Sequence, residues 1–324
     1  MEKLLTVSVA AYNVADFIRG TLDSVIHPDC IDAIEILVVD DGGTDETLSI
    51  VKEYEEQYPN SVFGVHKENG GYGSVINTAI RRATGKYFKQ LDGDDWFETE
   101  NLPAFLELLR NIDADYVVTP MRMVNEADGS VVVRDYFETI PQGTYPFDEM
   151  DFQKISPMHC SCFRTKLLQE HDITITEHCF YTDVELVNRP VPYLDSICIF
   201  HKPIYVYRVG REGQSVSKTG IRKHYKEHEK VFWNLLEIYN RLPADKTAKR
   251  QFLRQRLVKE TAAQMKYYCY LEHGKGPHNE LKSFGSRLKQ EAPEILEASI
   301  LYSRFVKLMV KSNYLAYHFA GLLL

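Results

Sequence analysis

Short apolar runs alternate with helical patterns through the first part of the chain, from Leu4 to about Thr119. The runs typical of strands are residues 5–9, 35–39, 62–65, 87–91 and 116–118. Between them apolar residues recur every three or four positions, which is the period of a helix that buries one face. The alternation therefore predicts an α/β fold of Rossmann-like type, in which right-handed crossovers build a mainly parallel sheet flanked by helices on both faces.

The alternation stops near residue 119, and a different pattern follows. Asp128-Gly129 separates two short apolar runs and predicts a hairpin, and further strands are expected at residues 197–200 and 204–207. From about residue 221 the sequence becomes helical and richer in Lys and Arg. We therefore expect a domain over residues 1–220, made of a first half at 1–119 and a second half at 120–220, and a C-terminal helical extension over 221–324.

The formal net charge of −8 argues against a nucleic-acid partner, because the mean field of the protein repels phosphates. The sequence shows no secretory signal and no apolar stretch of membrane-spanning length, so we expect a cytoplasmic protein with reduced cysteines. A grouping of His159, Cys160, Cys162, His178 and Cys179 fits no common zinc signature. We therefore expect no structural zinc there.

Three of the predicted strands end in unusual runs. These are Ala10-Ala11-Tyr12-Asn13, Asp40-Asp41-Gly42-Gly43 and Asp92-Gly93-Asp94-Asp95, the last of which we call the acidic run. In an open parallel sheet the ligand crevice lies beyond the carboxyl ends of the strands. Carboxylates about 4 Å apart repel by roughly 4 kcal/mol at an effective dielectric constant of about 20, so a cluster there favours a cation with oxygen ligands, together with a diphosphate. A solvated acidic turn is the alternative, and it is the default for Asp40-Asp41 taken alone.

Four motifs in the first third of the chain occur in a recognisable order. They are Val7-Ser8-Val9-Ala10-Ala11-Tyr12-Asn13, Leu37-Val38-Val39-Asp40-Asp41-Gly42-Gly43-Thr44-Asp45, Asn69-Gly70-Gly71-Tyr72-Gly73-Ser74-Val75-Ile76-Asn77 and Leu91-Asp92-Gly93-Asp94-Asp95. Together they resemble family 2 glycosyltransferases, inverting enzymes of the GT-A fold that build bacterial cell-surface polysaccharides. Phe180-Tyr181-Thr182-Asp183-Val184-Glu185-Leu186, Ile204-Tyr205-Val206-Tyr207-Arg208 and Gln214-Ser215-Val216-Ser217 resemble the acceptor half. The chain departs from the family at Gly43, where serine is common, and at Thr182, where glutamate is common.

The resemblance implies the chemistry of an inverting transfer. A divalent cation, Mn²⁺ or Mg²⁺, would be held by Asp94 and Asp95 and would neutralise the departing diphosphate, with Asp92 near the ribose or the metal. Asp183 would be the general base that takes the proton of the attacking hydroxyl. Glu185 competes for that role, but on a helix it points about 200° away from Asp183.

The resemblance also implies a binding site for the nucleotide-sugar donor. Tyr12 would stack on the base, Asp41 would accept the N3–H of uracil or thymine, and Asp40 would support the loop. The complete set of donor-binding residues is Ala10, Tyr12, Asp40, Asp41, Asn69, Gly70, Gly71, Asp92, Asp94 and Arg208. Alternatives stay open: Tyr12 as a core aromatic, Gly70-Gly71 as a plain turn, and Arg208 as the partner of a carboxylate rather than of the diphosphate.

The expected function is transfer of a sugar from a UDP- or dTDP-sugar to a hydroxyl of a saccharide or lipid-linked saccharide. The alternative is an inactive nucleotide-sugar-binding partner of another glycosyltransferase. Residues 301–324 carry Arg304, Lys307 and Lys311 and contain no acidic residue. For this segment a peripheral contact at the inner face of the membrane, a core-packed helix and a contact between copies of the chain all stay open.

Overall fold

A computed structural model describes residues 2–210, 218–271 and 274–322. The chain divides into two compact units, Met1–Arg211 and Glu212–Leu324. The predicted motif Gln214-Ser215-Val216-Ser217 lies outside the described residues. Among the residues that the structure does describe, no helix combines the length and the apolar character needed to cross a bilayer.

The first unit is built on an eight-stranded sheet with the order β3-β2-β1-β4-β10-β6-β11-β9. Its strands are β1 (Leu5–Ala11), β2 (Ile34–Asp40), β3 (Val62–His66), β4 (Tyr87–Asp92), β6 (Tyr116–Val118), β9 (Gly143–Pro146), β10 (Ser161–Arg164) and β11 (Ser196–Ile199). The four strands β1 to β4 are parallel, β6 pairs in parallel with β11, and only β9 and β10 of the eight run the other way. The prediction of a mainly parallel sheet is confirmed.

Six helices belong to this unit: α1 (Ala15–Val25), α2 (Thr47–Gln57), α3 (Tyr72–Arg82), α4 (Leu102–Asn111), α5 (Thr165–Glu170) and α6 (Thr182–Asn188). Apolar side chains of α1 and α4 face the core, and every residue of β2 is buried, as expected for a central strand covered on both sides. Just before α2 the Asp45 carboxylate accepts the N–H groups of Ala15 and Thr47 at 2.9 and 3.0 Å, which ties the start of α2 to the start of α1.

The register of the sheet brings the three unusual strand ends together. Ala10 lies opposite Val39 on one side and Asp92 on the other, and Ala11 lies opposite Asp40. The Ala10 carbonyl accepts the Gly93 N–H at 3.0 Å, which ties the acidic run to β1. The acidic run and the β2 end therefore border one crevice at the carboxyl edge of the sheet.

A second sheet of four strands has the order β5-β12-β7-β8, with β5 (Trp96–Phe97), β7 (Met121–Asn125), β8 (Val131–Arg134) and β12 (Tyr205–Val209). The predicted hairpin around Asp128-Gly129 is present as β7 and β8, which pair antiparallel. The short strand β5 directly follows the acidic run, and β12 pairs with it antiparallel. This pairing places side chains of β12 beside the acidic run.

The second unit is helical, as the composition predicts. Its elements are α7 (Lys218–Arg241), α8 (Thr247–Tyr270), α9 (Lys275–Glu291), α10 (Pro293–Tyr302) and α11 (Arg304–Lys311), followed by a 3₁₀ turn at Leu315–Leu322. The helices α7, α9, α10 and α11 all pack against α8. In the last segment Val306, Met309, Tyr314 and Tyr317 are buried, whereas Leu301 and Phe319 are exposed.

Candidate active site

Asp40 closes the turn that follows β2. Its two carboxylate oxygens each accept the Gly43 N–H at 3.2 Å, and Oδ2 lies 2.6 Å from Nδ1 of His66. A Cβ atom on Gly43 would lie 2.6 Å from Oδ1 of Asp40. This close approach is a physical reason for glycine at a position where the family commonly has serine.

Asp41 holds the turn that precedes α3. Its Oδ1 accepts hydrogen bonds from Lys67 Nζ (2.7 Å), the Gly70 N–H (2.9 Å) and Ser74 Oγ (3.2 Å), and its Oδ2 accepts the Gly71 N–H (2.8 Å). The Asp41 side chain is only 5% exposed. Gly71 has a φ of +80°, a left-handed conformation in which glycine is the least strained residue. Asp41 and Lys67 together therefore fix this turn.

Tyr12 and Asn69 lie at the rim of the same region. Tyr12 is 54% exposed, which excludes the alternative of a core aromatic. Asn69 is exposed, and its Nδ2 donates to the Asp41 carbonyl at 2.9 Å. The structure thus presents an accessible aromatic ring and a rigid glycine turn near the β1 and β2 ends.

Hydroxyl groups of two tyrosines organise the acidic run. Tyr72, in the first turn of α3, donates to Oδ1 of Asp92. Tyr205, on β12, accepts the Asp92 N–H at 3.2 Å and donates to Oδ2 of Asp95 at 2.7 Å. The Asp95 N–H donates to the Asp92 carbonyl at 3.1 Å, which closes a tight turn. The carboxylates of Asp92 and Asp95 are thereby oriented by tyrosines on two separate elements, α3 and β12.

Burial makes the two carboxyl groups weak acids. It raises the pKa of Asp95 to about 8, and the charge of Asp92 adds to the effect. Burial likewise raises the pKa of Asp92 to about 6, with further contributions from the charges of Asp94 and Asp183. Two buried carboxylates side by side are stable as anions only when a positive charge compensates them. The pair is electrostatically suited to a cation.

One group of three side chains within the described residues has the donor atoms for a metal ion. Asp92, Asp95 and His159 each offer a ligand atom, and these atoms all lie within 4.8 Å of one another. The resemblance assigns Asp94 and Asp95 to the metal, but the structure brings Asp92 rather than Asp94 into this group. Two carboxylates and an imidazole form a donor set that fits a divalent cation.

The cysteines next to His159 do not take part in this group. Cys160 and Cys162 are buried free thiols, and burial raises the pKa of each to about 12, so both stay protonated. Buried neutral thiols of this kind fill apolar positions in the core.

Arg208 packs against the acidic run. Its Nε donates to the Asp94 carbonyl at 2.8 Å, and its Nη1 forms an ion pair with Glu126. The guanidinium lies over the rings of Trp96 and Phe17, 4.8 and 5.2 Å from their centroids. Arg208 was expected to bind either the diphosphate or a carboxylate, and in the structure it pairs with the carboxylate of Glu126.

Asp183 lies in the first turn of α6. It is close enough for its charge to contribute, after burial, to the raised pKa of Asp92 and of Tyr207. Helix α6 also packs against the 3₁₀ turn Met158–Cys160, which carries His159. The base candidate and the carboxylate group therefore border the same space.

Glu185, the other base candidate, faces away from this space. Its carboxylate accepts the Thr176 N–H at 2.7 Å and Thr176 Oγ1 at 3.0 Å, and it forms an ion pair with Arg189 at 2.5 Å. The residue is 2% exposed. Glu185 thus anchors the segment that leads into α6, and this position favours Asp183 for the chemical role.

That segment rests directly on α3. Asn77 exchanges two hydrogen bonds with the backbone of Ile175, at 2.7 and 2.9 Å, and the His178 N–H donates to the Gly70 carbonyl at 2.6 Å. A Cβ atom on Gly73 would lie only 2.2 Å from the Thr176 carbonyl oxygen. The turn at residues 69–71, helix α3 and residues 175–178 before Asp183 therefore pack together.

The sequence does not single out Tyr72 or Tyr205, and it brings His159 to notice only in a grouping that fits no zinc signature. Tyr72 stands inside a quoted motif, but its hydroxyl gives no signal of its own. Tyr205 is 0% exposed and has the pattern of a core aromatic on a strand. His159 is far from the acidic run in the sequence, and only the folding of the chain brings the two together.

This crevice contains the half-buried Asp92 and the buried Asp95, a third aspartate, Asp183, near enough for its charge to act on Asp92, and a glycine turn held by the buried Asp41. Residues 6–172, just over half of the chain, match the family described as Glycosyl transferase family 2. The chain belongs to this family. The resemblance noted in the sequence is therefore confirmed.

Two similar glycosyltransferases illustrate the relationship. The chain is 28% identical to glycosyltransferase GlyA of Streptococcus pneumoniae, over 69% of this chain and 33% of GlyA. It is 29% identical to poly(ribitol-phosphate) β-N-acetylglucosaminyltransferase TarS of Staphylococcus aureus, over 66% of this chain and 37% of TarS. The chain thus spans about a third of the length of these relatives.

Solved structures give the same fold. TarS residues 1–349 in complex with UDP-GlcNAc superpose with a TM-score of 0.73 at 20% identity, over 97% of this chain and 90% of that one. The mannosyltransferase PcManGT of Pyrobaculum calidifontis, in complex with GDP-Man and Mn²⁺, has a TM-score of 0.52 at 16% identity, over 99% of this chain and 88% of that one. The predicted GT-A-type α/β fold with C-terminal helices is confirmed.

Proposed function

We propose that the chain is an inverting glycosyltransferase that moves a sugar from a UDP- or dTDP-sugar to a hydroxyl of a saccharide or lipid-linked saccharide. The observation that carries the proposal is the nearness of Asp183 to the Asp92–Asp95 pair in a family 2 fold, where the Asp183 charge contributes to the raised pKa of Asp92. The UDP-GlcNAc and UDP complexes of TarS support a uridine nucleotide as the first donor to test.

On the donor side, the exposed Tyr12 ring is available to stack on the pyrimidine. Three of the four hydrogen bonds to the Asp41 carboxylate end on Oδ1, and only the bond from the Gly71 N–H ends on Oδ2. Oδ2 can therefore accept a further hydrogen bond from the N3–H of the base. Lys67 compensates the charge of Asp41 and keeps the Asn69-Gly70-Gly71 turn in place. In this proposal Ala10 and Asp40 act through the backbone and the turn that they hold.

On the leaving-group side, Asp92, Asp95 and His159 would hold the cation, Mn²⁺ or Mg²⁺, and Asp94 lies beside them in the same turn. When bound, a divalent cation supplies charge that neutralises the departing diphosphate. Tyr72 and Tyr205 keep the two carboxylates in one orientation. Because these contacts exist before any substrate arrives, little reorganisation is needed during the reaction.

Asp183 takes the proton. The acceptor oxygen attacks the anomeric carbon, the bond between that carbon and the diphosphate oxygen breaks, and the hydroxyl proton passes to the Asp183 carboxylate. A single displacement of this kind inverts the anomeric configuration. Thr182 is buried beside Asp183, so no second carboxylate competes for the proton at that position.

The test is a screen of nucleotide sugars with the purified full chain. Mn²⁺-dependent hydrolysis and thermal stabilisation would be measured for UDP-, dTDP- and GDP-sugars, with EDTA as the control. We expect at least one uridine or thymidine diphosphate sugar to register and guanosine diphosphate sugars not to. If only guanosine sugars register, the roles of Asp41 and Tyr12 are wrong.

The other candidate is an inactive module that binds a nucleotide sugar for a partner enzyme. Such a module keeps Asp41 and the acidic run but makes no use of Asp183. An enzyme is supported by the position of Asp183, which is near enough for its charge to raise the pKa of Asp92, whereas Glu185 forms an ion pair with Arg189. The substitution Asp183→Asn separates the two candidates, since it leaves the donor contacts intact.

We further propose that the enzyme works in the cytoplasm and meets a lipid-linked acceptor at the inner face of the membrane. Leu301, Leu315 and Phe319 are 88%, 60% and 66% exposed, and Arg304 and Lys307 are exposed near them in the sequence. Apolar and basic groups together suit an anionic lipid surface. Co-sedimentation with vesicles of anionic and of neutral lipid tests this, and equal binding to both, or assembly of copies without lipid, contradicts it.

A further inference from the structure

Among the described residues, strand β8 is the outermost strand of the second sheet, and it presents apolar side chains on both of its faces. Val131, Val132 and Val133 are 53%, 43% and 53% exposed, and consecutive residues of a strand alternate between its two faces. Edge strands of natural proteins usually carry charged residues or a proline that prevent pairing with another chain. Residues 131–133 contain neither, so this edge is suited to pairing.

The backbone of β8 directs hydrogen-bonding groups outward at two of these valines. The Asn125 N–H donates to the Ser130 carbonyl at 2.9 Å, so this opposed pair of β7 and β8 is a hydrogen-bonded one. Hydrogen-bonded and non-hydrogen-bonded pairs alternate along an antiparallel ladder, so Val131 and Val133 belong to non-hydrogen-bonded pairs with β7. Their N–H and C=O groups therefore point away from β7, toward the open edge.

These outward groups are complementary to those of a second copy related by a two-fold axis. If the axis passes at Val132, then Val131 of each copy lies opposite Val133 of the other, and each of these pairs exchanges both N–H···O=C bonds. The two Val132 side chains meet at the axis in a non-hydrogen-bonded pair, with Cα atoms about 4.5 Å apart. Moving the axis to Val131 or to Val133 would place a valine opposite Gly129 or Asp135 instead.

The charges at the two ends of β8 favour the same register. Asp128 lies in the turn before the strand, Arg134 ends the strand, and both side chains are exposed. In the pairing about Val132, Arg134 lies opposite Ser130 of the second copy, two residues away from the Asp128 of that copy. Diagonal neighbours of this kind are about 7–8 Å apart, within reach of a long side chain. Opposite charges therefore meet at both ends of the paired strands.

The hairpin is anchored to the rest of the sheet at its turn. The Glu126 N–H donates to the Val209 carbonyl at 3.0 Å, and the Glu126 carboxylate forms an ion pair with Arg208. An edge that is already fixed in its paired conformation loses little conformational freedom when a partner binds.

We propose that β8 is a dimerisation edge, at which two copies of the chain pair antiparallel about Val132 and join their second sheets into one. A contact of this size is at the low end of specific interfaces, so we expect a dimer with a Kd on the order of 10–100 µM. This pairing goes beyond the proposed function and does not depend on it.

Sedimentation velocity of the full chain, at concentrations from well below to well above that Kd, tests the proposal. The unaltered chain should change from the mass of one chain to the mass of two. Val132→Lys places two like charges at the axis and should raise the Kd at least about tenfold. Leu301→Lys, at a residue that is 88% exposed and outside β8, is the matched control and should leave the Kd unchanged. The control also separates this pairing from assembly through residues 301–324.

Cysteine cross-linking tests the register. Val132→Cys brings two thiols together at the axis, at a Cα separation that a disulfide can span. Val131→Cys is the matched control, because in this register each introduced cysteine faces Val133 of the other copy, and the two cysteines lie more than about 7 Å apart, too far for a disulfide. We expect mild oxidation to link the Val132→Cys protein and to leave the Val131→Cys protein unlinked. The unaltered chain, whose cysteines are buried or half-buried, gives the background.

The unaltered chain decides the question even if a variant does not fold, because a chain that stays monomeric at every concentration overturns the inference. A dimer that Val132→Lys leaves intact, or that Leu301→Lys removes, also overturns it, as does linking of Val131→Cys that is as fast as that of Val132→Cys. None of these measurements uses a substrate. A monomeric chain that transfers sugar leaves the proposed function standing, whereas a chain that dimerises as described but binds no nucleotide sugar leaves only the dimer standing.

Discussion

Replacing Asp95 by asparagine should change how the stability of the metal-free protein depends on pH. Burial raises the pKa of Asp95 to about 8 in the folded chain, whereas an unfolded aspartate has a pKa of about 4. Between these values the folded state binds more protons than the unfolded state, so the free energy of unfolding falls as pH rises. Asparagine does not titrate, so the Asp95→Asn protein should lose this dependence.

The size of the effect follows from one proton. Full uptake of one proton changes the free energy of unfolding by about 1.4 kcal/mol per pH unit. Asp92 has a pKa of about 6 and loses most of its proton by pH 7. The change in stability between pH 6 and pH 8 therefore reports mainly on Asp95, whose pKa is about 8. Because Asp95 is half-deprotonated at pH 8, the wild-type protein should lose about 2 kcal/mol relative to Asp95→Asn over that interval.

The assay is urea unfolding in EDTA at pH 6, 7 and 8. The chain has two tryptophans, Trp96 next to the acidic run and Trp233 in the second unit, so a Trp233→Phe background makes fluorescence report on the first unit. Mn²⁺ with UDP should reduce the pH dependence of wild type and leave Asp95→Asn unchanged. Asp29→Asn, at a side chain that is 83% exposed, is the control. Parallel pH dependences of wild type and Asp95→Asn would refute the account of the carboxylate pair.

Three further substitutions probe the scaffold around the site. Glu185→Gln removes the buried counter-charge of Arg189 and should cost about 2–3 kcal/mol of stability in urea unfolding, while the turnover of folded protein stays within a few-fold of wild type. Gly73→Ala places a Cβ 2.2 Å from the Thr176 carbonyl oxygen and should lower the free energy of unfolding by about 1–3 kcal/mol or more. Gly20→Ala is the control, because Gly20 lies in an open position on α1, and it should leave the free energy of unfolding unchanged or raise it by up to about 1 kcal/mol. Lys67→Met should raise the Kd of UDP at least about tenfold in calorimetry, with Mn²⁺ binding in the absence of UDP unchanged.

Much of the fold could be predicted because the first half obeys simple periodicities. The runs that became β1 to β4 are separated by amphipathic helices, and this pattern alone places Asp40 and Asp92 at one edge of a sheet. The second sheet could not be predicted in the same way. Its strand β5 has only two residues, Trp96 and Phe97, and its position depends on pairing with β12 from far along the chain.

The metal group shows the limit of reasoning from motifs. In the acidic run three carboxylates are close in sequence, and the sequence does not say which ones share a direction. The turn closed by the Asp95 N–H and the Asp92 carbonyl, together with the Tyr205 hydroxyl, settles the direction of Asp92 and Asp95. His159 joins them because the turn Met158–Cys160 packs against β4 and β12, tertiary contacts that no local pattern encodes.

The central claim is that Asp183 removes the proton in a metal-assisted sugar transfer. The measurement that tests it most directly is the rate of transfer by Asp183→Asn, set beside its Mn²⁺-dependent affinity for UDP. We predict that the rate of transfer falls about 10²- to 10⁴-fold while the Kd of UDP stays within about threefold of wild type. A transfer rate equal to that of wild type, at unchanged UDP affinity, would contradict the claim.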